Sequence, residues 1–188
     1  MPSDVALLTR AIEESMAHLS PWMEWARHEP ISDAQRLEWL RTCRGHFDLG
    51  SDYTYGIFDK DEHVLLGSAG LKLSTSVDER ELGYWLHVDH TGKGLALEAA
   101  LALTRVAFDL ESVACVDIRV DPDNQRSARV AQKLGCEGPL LDPLSQSTPE
   151  GKRDMHVYTL TRVRYAASPA RTVAIEAYDV LDRPLRAV

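Results

Sequence analysis

The chain has 188 residues, 44% of them hydrophobic and 27% charged, with a net charge of −8 at neutral pH. These are the proportions of one globular domain with a real core, and no apolar run approaches the roughly 20 residues that span a bilayer. The acidic balance argues against nucleic acid as a partner, because phosphate neutralisation needs clustered Lys and Arg, and it fits a basic substrate better.

The start, "MPSDVALLTRAIEE", has neither the basic nor the apolar region of a secretory signal, so a cytoplasmic address with no membrane partner is expected. Leu8, Ala11, Ile12 and Met16 form the stripe of a first helix, with Ser3 placed to cap it. "SPWMEWA" opens with Ser20 and Pro21 and predicts a second, short helix. "SDAQRLEWLRTCRGHF" begins with Ser32 and, three residues on, Gln35; that is a capping box, and Gly50 ends the segment.

From residue 53 the period changes. "YTYGIF", "HVLLGSAGLKL" and "ERELGYWLHV" are three β-rich segments, the first two joined by "DKDE", and they predict an antiparallel meander. A glycine loop, "HTGKG", then leads into a helix whose side carries Ala96, Ala99, Leu103, Val106 and Leu110. "VACVDIRV" is a strand and "DPDNQRSARVAQKLG" a helix capped at Asp123 or Asn124 and ended by Gly135; "DMHVYTLTRVRY" is strand-like. This order predicts an α/β fold: a mixed central sheet with helices on both faces.

Residues 166–188 follow as a tail after the main domain, 1–165. Its stretch "RTVAIEAYDVL" has strand composition and reads as an added edge strand. Cys43, Cys115 and Cys136 are odd in number and lack metal-ligand spacing, which predicts buried free thiols. Seven scattered histidines likewise show no ligand spacing, so no metal is expected.

The chemistry-bearing positions each have two readings. Gly92, Lys93 and Gly94 are either a phosphate cradle at a helix mouth or a plain strand-to-helix turn; neither the P-loop nor the dinucleotide fingerprint fits them. Asn124 is a helix cap by position. Ser127 shares an inward face with Val130 and Leu134, where its hydroxyl needs a partner, and a bond back to a helix carbonyl would serve. Glu81 reads as a solvated carboxylate or a proton acceptor, and Trp22 and Trp25, three apart, as core or as the wall of a pocket.

The succession "LGYWLHV", "GKGLALEAALAL" and "NQRSARVAQKLGC" resembles the Gcn5-related N-acetyltransferase (GNAT) superfamily, nearest its RimJ/RimL branch. The family's Arg/Gln-x-x-Gly-x-Gly/Ala pattern falls on Thr91, Gly94 and Ala96, and its Asn-x-x-Ser on Asn124 and Ser127. "HLSPWMEWA" resembles the aromatic helix that begins the acceptor pocket, and the match covers residues from about 3 to 162. Two features depart from the family: Thr91 stands where Arg or Gln is usual, and the first strand is missing, so the sheet is expected to be mostly antiparallel without its first edge strand.

The resemblance implies transfer of an acetyl group from acetyl-CoA, as cosubstrate, to an amine acceptor. It places the pyrophosphate on the amides of Gly92, Lys93, Gly94, Leu95 and Ala96 beside Thr91, and the pantetheine arm along Leu86, His87 and Asn124. Ser127 would protonate the leaving thiolate, Glu81 would accept the amine proton, and Trp22, Trp25 and Tyr84 would line the acceptor site. The acceptor is a protein N-terminal α-amine or a small amine. A catalytically silent acyl-CoA sensor is the rival reading, and a bare sheet edge points to a homodimer.

Overall fold

The computed structural model describes residues 1–74, 76–148, 151–179 and 181–185. A 3₁₀ turn, Pro2–Asp4, leads into α1 (Val5–Leu19), which buries Leu8, Ala11, Ile12, Ser15 and Leu19. Ser3 does not cap this helix. It lies inside the turn and donates to Asp4, and Asp4 is the N-cap residue, its side chain making no capping bond to the helix amides. The expected second helix is a 3₁₀ segment, Glu24–His28. α2 (Asp33–Asp48) carries the predicted capping box, with the Gln35 amide donating to Ser32 Oγ and the Ser32 amide to Gln35 Oε1.

The meander follows as β1 (Tyr53–Phe58), β2 (Leu65–Leu73) and β3 (Glu79–Leu86), each antiparallel to its neighbour. α3 (Leu95–Asp109), β4 (Cys115–Val120) and α4 (Gln125–Leu134) come next. The chain then forms a long antiparallel hairpin, β5 (Glu137–Thr148) and β6 (Gly151–Thr161), and a short α5 (Arg162–Tyr165). Among the described residues the sheet order is β1-β2-β3-β4-β6-β5, and the single parallel pairing is β3 with β4.

Two differences from the sequence reading stand out. β5 was not anticipated, and the strand expected to run to Tyr165 stops at Thr161, whose hydroxyl accepts the Arg164 amide and starts α5. Prolines 139 and 143 within β5 cannot donate to a ladder, which confines such a segment to a sheet edge; β5 is indeed outermost.

Helices cover both faces. Leu82 and Tyr84 of β3 pack with the cluster built by Leu103, Phe108, Ala131 and Leu134 of α3 and α4, whereas Trp85 packs with Leu8, Ala11 and Ile12 of α1. Successive strand residues point to opposite faces, so the two helical layers sandwich the sheet.

Among the described residues the tail adds no strand to the sheet. Val180 and residues 186–188 lie outside the described residues, and the stretch from Tyr165 to Val173 packs on α3 and α4 instead. Tyr165 stacks on Phe108 at 4.4 Å and donates to Asp109, Ser168 Oγ donates to the Leu134 carbonyl at 2.6 Å, and Ala170 is fully buried. Arg105 of α3 donates to the Val173 carbonyl. Satisfying the open carbonyl at the end of α4 and covering Phe108 outweighs strand composition here. Among the described residues β1 pairs only with β2 and is an edge, as the missing first strand implies.

Candidate active site

β3 and β4 start side by side and then part. Their parallel register covers only Glu79 with Cys115, Arg80 with Val116 and Glu81 with Asp117, although β3 continues to Leu86 and β4 to Val120. Beyond Glu81 the two strands open a splay in the middle of the sheet. Antiparallel partners alternate between bonded and non-bonded pairs, and the His87 amide donates to the Leu66 carbonyl at 2.8 Å. Leu86, opposite Gly67, and Tyr84, opposite Ala69, are therefore non-bonded on the β2 side. Their amides and carbonyls face the splay, where an extended, amide-bearing ligand can add as a strand.

This geometry corrects the expectation at His87. Its backbone is committed to Leu66 and, through its carbonyl, to His90. Its ring is buried: Nδ1 accepts the Asp89 amide and Nε2 donates to Glu14 Oε2 at 2.9 Å. His87 is thus an anchor between α1 and the loop, and the backbone groups that face the splay are those of Tyr84 and Leu86. Ser15 of α1 adds a second anchor by accepting the Val88 amide. Glu14 also pairs with Arg10, and Arg10 first, then His87, holds its carboxyl below the usual range.

The glycine loop ends the splay. After a 3₁₀ turn at Val88–His90, Gly92 and Gly94 adopt φ of +75° and +87°, and Gly94 is the N-cap of α3. Such angles favour glycine. An added Cβ at either position would meet nothing within 4 Å, so the space beside the loop is open. The first amide to be satisfied by the helix is that of Glu98, which donates to the Gly94 carbonyl. Among the described residues, the amides of Gly92, Lys93, Gly94, Leu95, Ala96 and Leu97 have no acceptor. A run of unpaired amides at the positive end of a fifteen-residue helix suits a pyrophosphate. Thr91 adds no side-chain donor to it, because its hydroxyl turns back to the Val88 carbonyl at 3.1 Å; Lys93 is exposed.

On the α4 side of the splay, Asn124 caps the helix, its Oδ1 accepting the Ser127 amide at 3.1 Å. Ser127 does not bond back to its own helix. Its Oγ lies 2.9 Å from the Tyr84 hydroxyl. Burial pushes the Tyr84 phenol up to about 12, with the Ser127 contact acting the other way, so it stays protonated.

On the opposite face, Glu81 Oε2 is 3.1 Å from Arg119 Nε, and Arg119 also holds Asp142 of β5. Asp142 sits below the usual carboxylate range because of the Arg119 bond. Glu81 and Tyr84 differ by an odd number along a regular strand, so the carboxylate and the hydroxyl pair flank the splay from its two faces.

On the Glu81 face Trp25 meets Trp85, rather than the expected Trp22, at 6.1 Å between ring centroids, and Gln146 of β5 donates to the Trp22 carbonyl; Tyr84, expected on the same wall, lies on the opposite face of the strand. Trp25 also packs against the α1 cluster, so it serves the core as well. Behind this wall, Glu29 and Arg36 form a buried two-point ion pair, with both bonds at 2.7 Å, tying the loop to α2. Sequence reasoning missed Arg119, Asp142, Gln146 and this pair. Each is defined by contacts across strands or loops that a single segment does not display.

Among the described residues no cluster of His, Cys, Asp or Glu is arranged to hold a metal ion. The cysteines are unpaired, and burial raises the thiols of Cys115 and Cys136 to about 11 and about 12. A cavity of about 540 Å³ lies elsewhere, between the start of α1, the later half of α2 and β1–β2, and none of the splay residues lines it. No helix of the described residues is long and apolar enough to cross a membrane.

The family model for the acetyltransferase (GNAT) domain matches residues 2–137. The [ribosomal protein uS5]-alanine N-acetyltransferase of Escherichia coli is 28% identical over 132 residues, 66% of this chain and 65% of that protein. Putative ribosomal N-acetyltransferase YdaF of Bacillus subtilis is 26% identical over 147 residues, 76% of this chain and 79% of that protein. An uncharacterized N-acetyltransferase p20 of Bacillus licheniformis is 27% identical, and the match spans 66% of its length. The first curated relatives are thus matched over slightly less than two-thirds of their own length. Among solved structures, RimL, a ribosomal L7/L12 α-N-protein acetyltransferase in complex with coenzyme A, aligns with a TM-score of 0.77 at 19% identity, over 86% of this chain and 90% of that one. Mycobacterium smegmatis RimJ aligns with a TM-score of 0.78 at 21% identity, over 90% and 83%. With nearly three-quarters of its length under the family model, the chain belongs to the GNAT acetyltransferase-domain family.

Proposed function

We propose that this protein transfers the acetyl group of acetyl-CoA to a primary amine, by direct attack of the amine on the thioester. The observation that carries this reading is the unpaired amide run from Gly92 to Leu97 beside a splay whose free edge presents Tyr84 and Leu86. A pyrophosphate fits the first and an amide-bearing arm fits the second, which points the far end of the arm at Tyr84 and Ser127. The names of the relatives favour the α-amine of a protein N-terminus as acceptor, with a small amine as the second class.

The residues divide the chemistry between the two faces. The amine enters past Trp25 and Trp85, and Glu81 accepts its proton directly or through water. A backbone amide at the free edge of β3 donates to the developing oxyanion. The C–S bond breaks, sulfur keeps the electron pair, and Ser127 meets the departing thiolate with a proton donor. Holding amine and thioester at about 3 Å in this frame supplies the proximity term. A cytoplasmic address accords with this substrate.

The rival reading, an acyl-CoA sensor, draws on two features: the Thr91 hydroxyl is turned away from the cradle, and Glu81 is engaged by Arg119. Thiol release from acetyl-CoA, measured with a panel of peptides and small amines alongside calorimetric binding, separates the two. Turnover with any acceptor rejects the sensor, and tight binding without turnover across the panel rejects the enzyme. Sedimentation of the same preparation decides the expected homodimer.

A further inference from the structure

Tyr84 and Ser127 stand 43 residues apart in sequence and meet across the splay. Ser127 Oγ is 2.9 Å from Tyr84 Oη, and the same Oη is 3.3 Å from the Ser127 carbonyl oxygen. Two hydroxyls joined by one hydrogen bond have two polarities. If Tyr84 donates to Ser127 Oγ, the serine's own proton is free for a third group. If Ser127 donates to Tyr84, the phenol proton goes to the carbonyl and nothing is left for a ligand.

Three features favour the first polarity. Hydroxyl bonds cluster near 2.7–2.8 Å, so the contact to Oγ is the stronger one and the contact to the carbonyl is long. Ser127 lies in the first turn of α4, where its carbonyl already has the Ala131 amide as helical partner. The Asn124 cap fixes that turn, so the direction of Oγ is set before any ligand arrives.

We propose that Tyr84 is a positioning residue whose hydroxyl donates to Ser127 Oγ and thereby aims the Ser127 proton at the thioester sulfur. The departing thiolate of coenzyme A is then held by a chain of two hydroxyls, each strengthening the other. This rests on the acetyl-transfer reading. The N–C bond forms from the amine lone pair, the C–S bond breaks with its electrons going to sulfur, and the amine proton leaves through Glu81 or water. Tyr84 keeps its own proton throughout, in keeping with the raised phenol.

The test needs no acceptor. Free coenzyme A is bound to the full chain, binding is measured by calorimetry, and the thiolate of the complex is titrated by its ultraviolet absorbance. The bound thiol is expected to ionise at lower pH than free coenzyme A. Ser127→Ala raises that midpoint by about one pH unit, the worth of a hydrogen bond to a charged group. Tyr84→Phe raises it by less, the double variant matches Ser127→Ala, and Ser127→Thr restores the parent value. A midpoint unchanged or lowered by Tyr84→Phe, while Ser127→Ala raises it, overturns the proposal, because the bond then has the opposite polarity. Midpoints indifferent to both residues overturn it too. Loss of coenzyme A binding in the parent protein is a separate outcome, since it removes the acetyl-CoA reading itself. Should Tyr84→Phe fail to fold, 3-fluorotyrosine at position 84, a stronger donor, is expected to lower the midpoint; no movement counts against the chain.

Discussion

Replacing Gly94 by alanine probes the cradle at the residue that shapes it. Gly94 has φ +87°, and a Cβ there would meet nothing within 4 Å, so the cost is conformational rather than steric. Holding an L-residue in this region costs about 1–2 kcal/mol. If the loop keeps its shape, that cost lowers the melting temperature by roughly 2–8 °C for a chain of this size. If the loop instead relaxes to negative φ, stability returns and the amides of Gly94 to Ala96 lose their common direction. One hydrogen bond to a charged group is worth about 1.5–3 kcal/mol, so coenzyme A then binds roughly 10- to 100-fold more weakly. Scanning calorimetry and a coenzyme A titration on the same variant read both quantities, and the effect must surface in at least one. A Gly94→Ala protein with parental melting temperature and parental affinity would refute the reasoning. Gly67→Ala is the contrasting control: its Cβ would sit 2.2 Å from the Trp85 carbonyl oxygen, so the loss there is steric and falls on stability.

Two further outcomes follow from the anchors. Arg36→Ala leaves Glu29 buried without its partner and is expected to cost about 3–5 kcal/mol by chemical denaturation, with Glu29→Gln in the same background recovering part of it; an effect below 1 kcal/mol would show that water replaces the guanidinium. Glu14 has a carboxyl lowered in the folded state, so its contribution is present above its ordinary value of 4.5 and is lost as pH falls through the depressed folded value. Glu14→Gln should therefore lower stability slightly in the neutral region, where the contribution is present, and converge on the parent at low pH, so that the acid limb of the stability–pH curve flattens; an unchanged acid limb would remove Glu14 from the account.

Local signals carried much of the fold. Ser32 with Gln35, Asn124 as a cap and Gly135 as a terminator act within one turn of chain, and each is where the spacing put it. The meander was legible for the same reason, since alternation and turn residues are local. β5 was not, because its prolines and its exposed Leu140, Leu141 and Leu144 erase the period of a half-buried strand. The tail misled through composition: Ser168 and Arg105 decide its course through bonds to Leu134 and Val173, contacts that exist only after α3 and α4 have packed. In the site, the glycine loop by itself left cradle and turn open and took its reading from the segments on either side of it, and the choice between Leu86 and His87 depended on which strand neighbour takes each amide. That is a matter of register, and a one-residue change in register reverses it.

Register also bears on Glu81. It pairs with Lys72 on one side and Asp117 on the other, at the last point where β3 and β4 are still together. Its carboxylate therefore sits at the apex of the splay, on the face shared with Trp85 and away from Tyr84. Arg119 Nε lies 3.1 Å from Oε2, and among the described residues no hydrogen bond reaches Oε1, the oxygen to which an amine or a bridging water would come. Arg119 is itself held from the far side by Asp142, so the guanidinium fixes the carboxylate without being drawn off it. An oriented carboxylate with one open lone-pair direction is what proton removal from an entering amine requires. Glu81→Gln keeps the shape and removes the basicity. It is expected to lower kcat by roughly 10²–10⁴-fold with coenzyme A affinity unchanged. A parental kcat in Glu81→Gln would assign the carboxylate to holding Arg119 in place and leave proton removal to water.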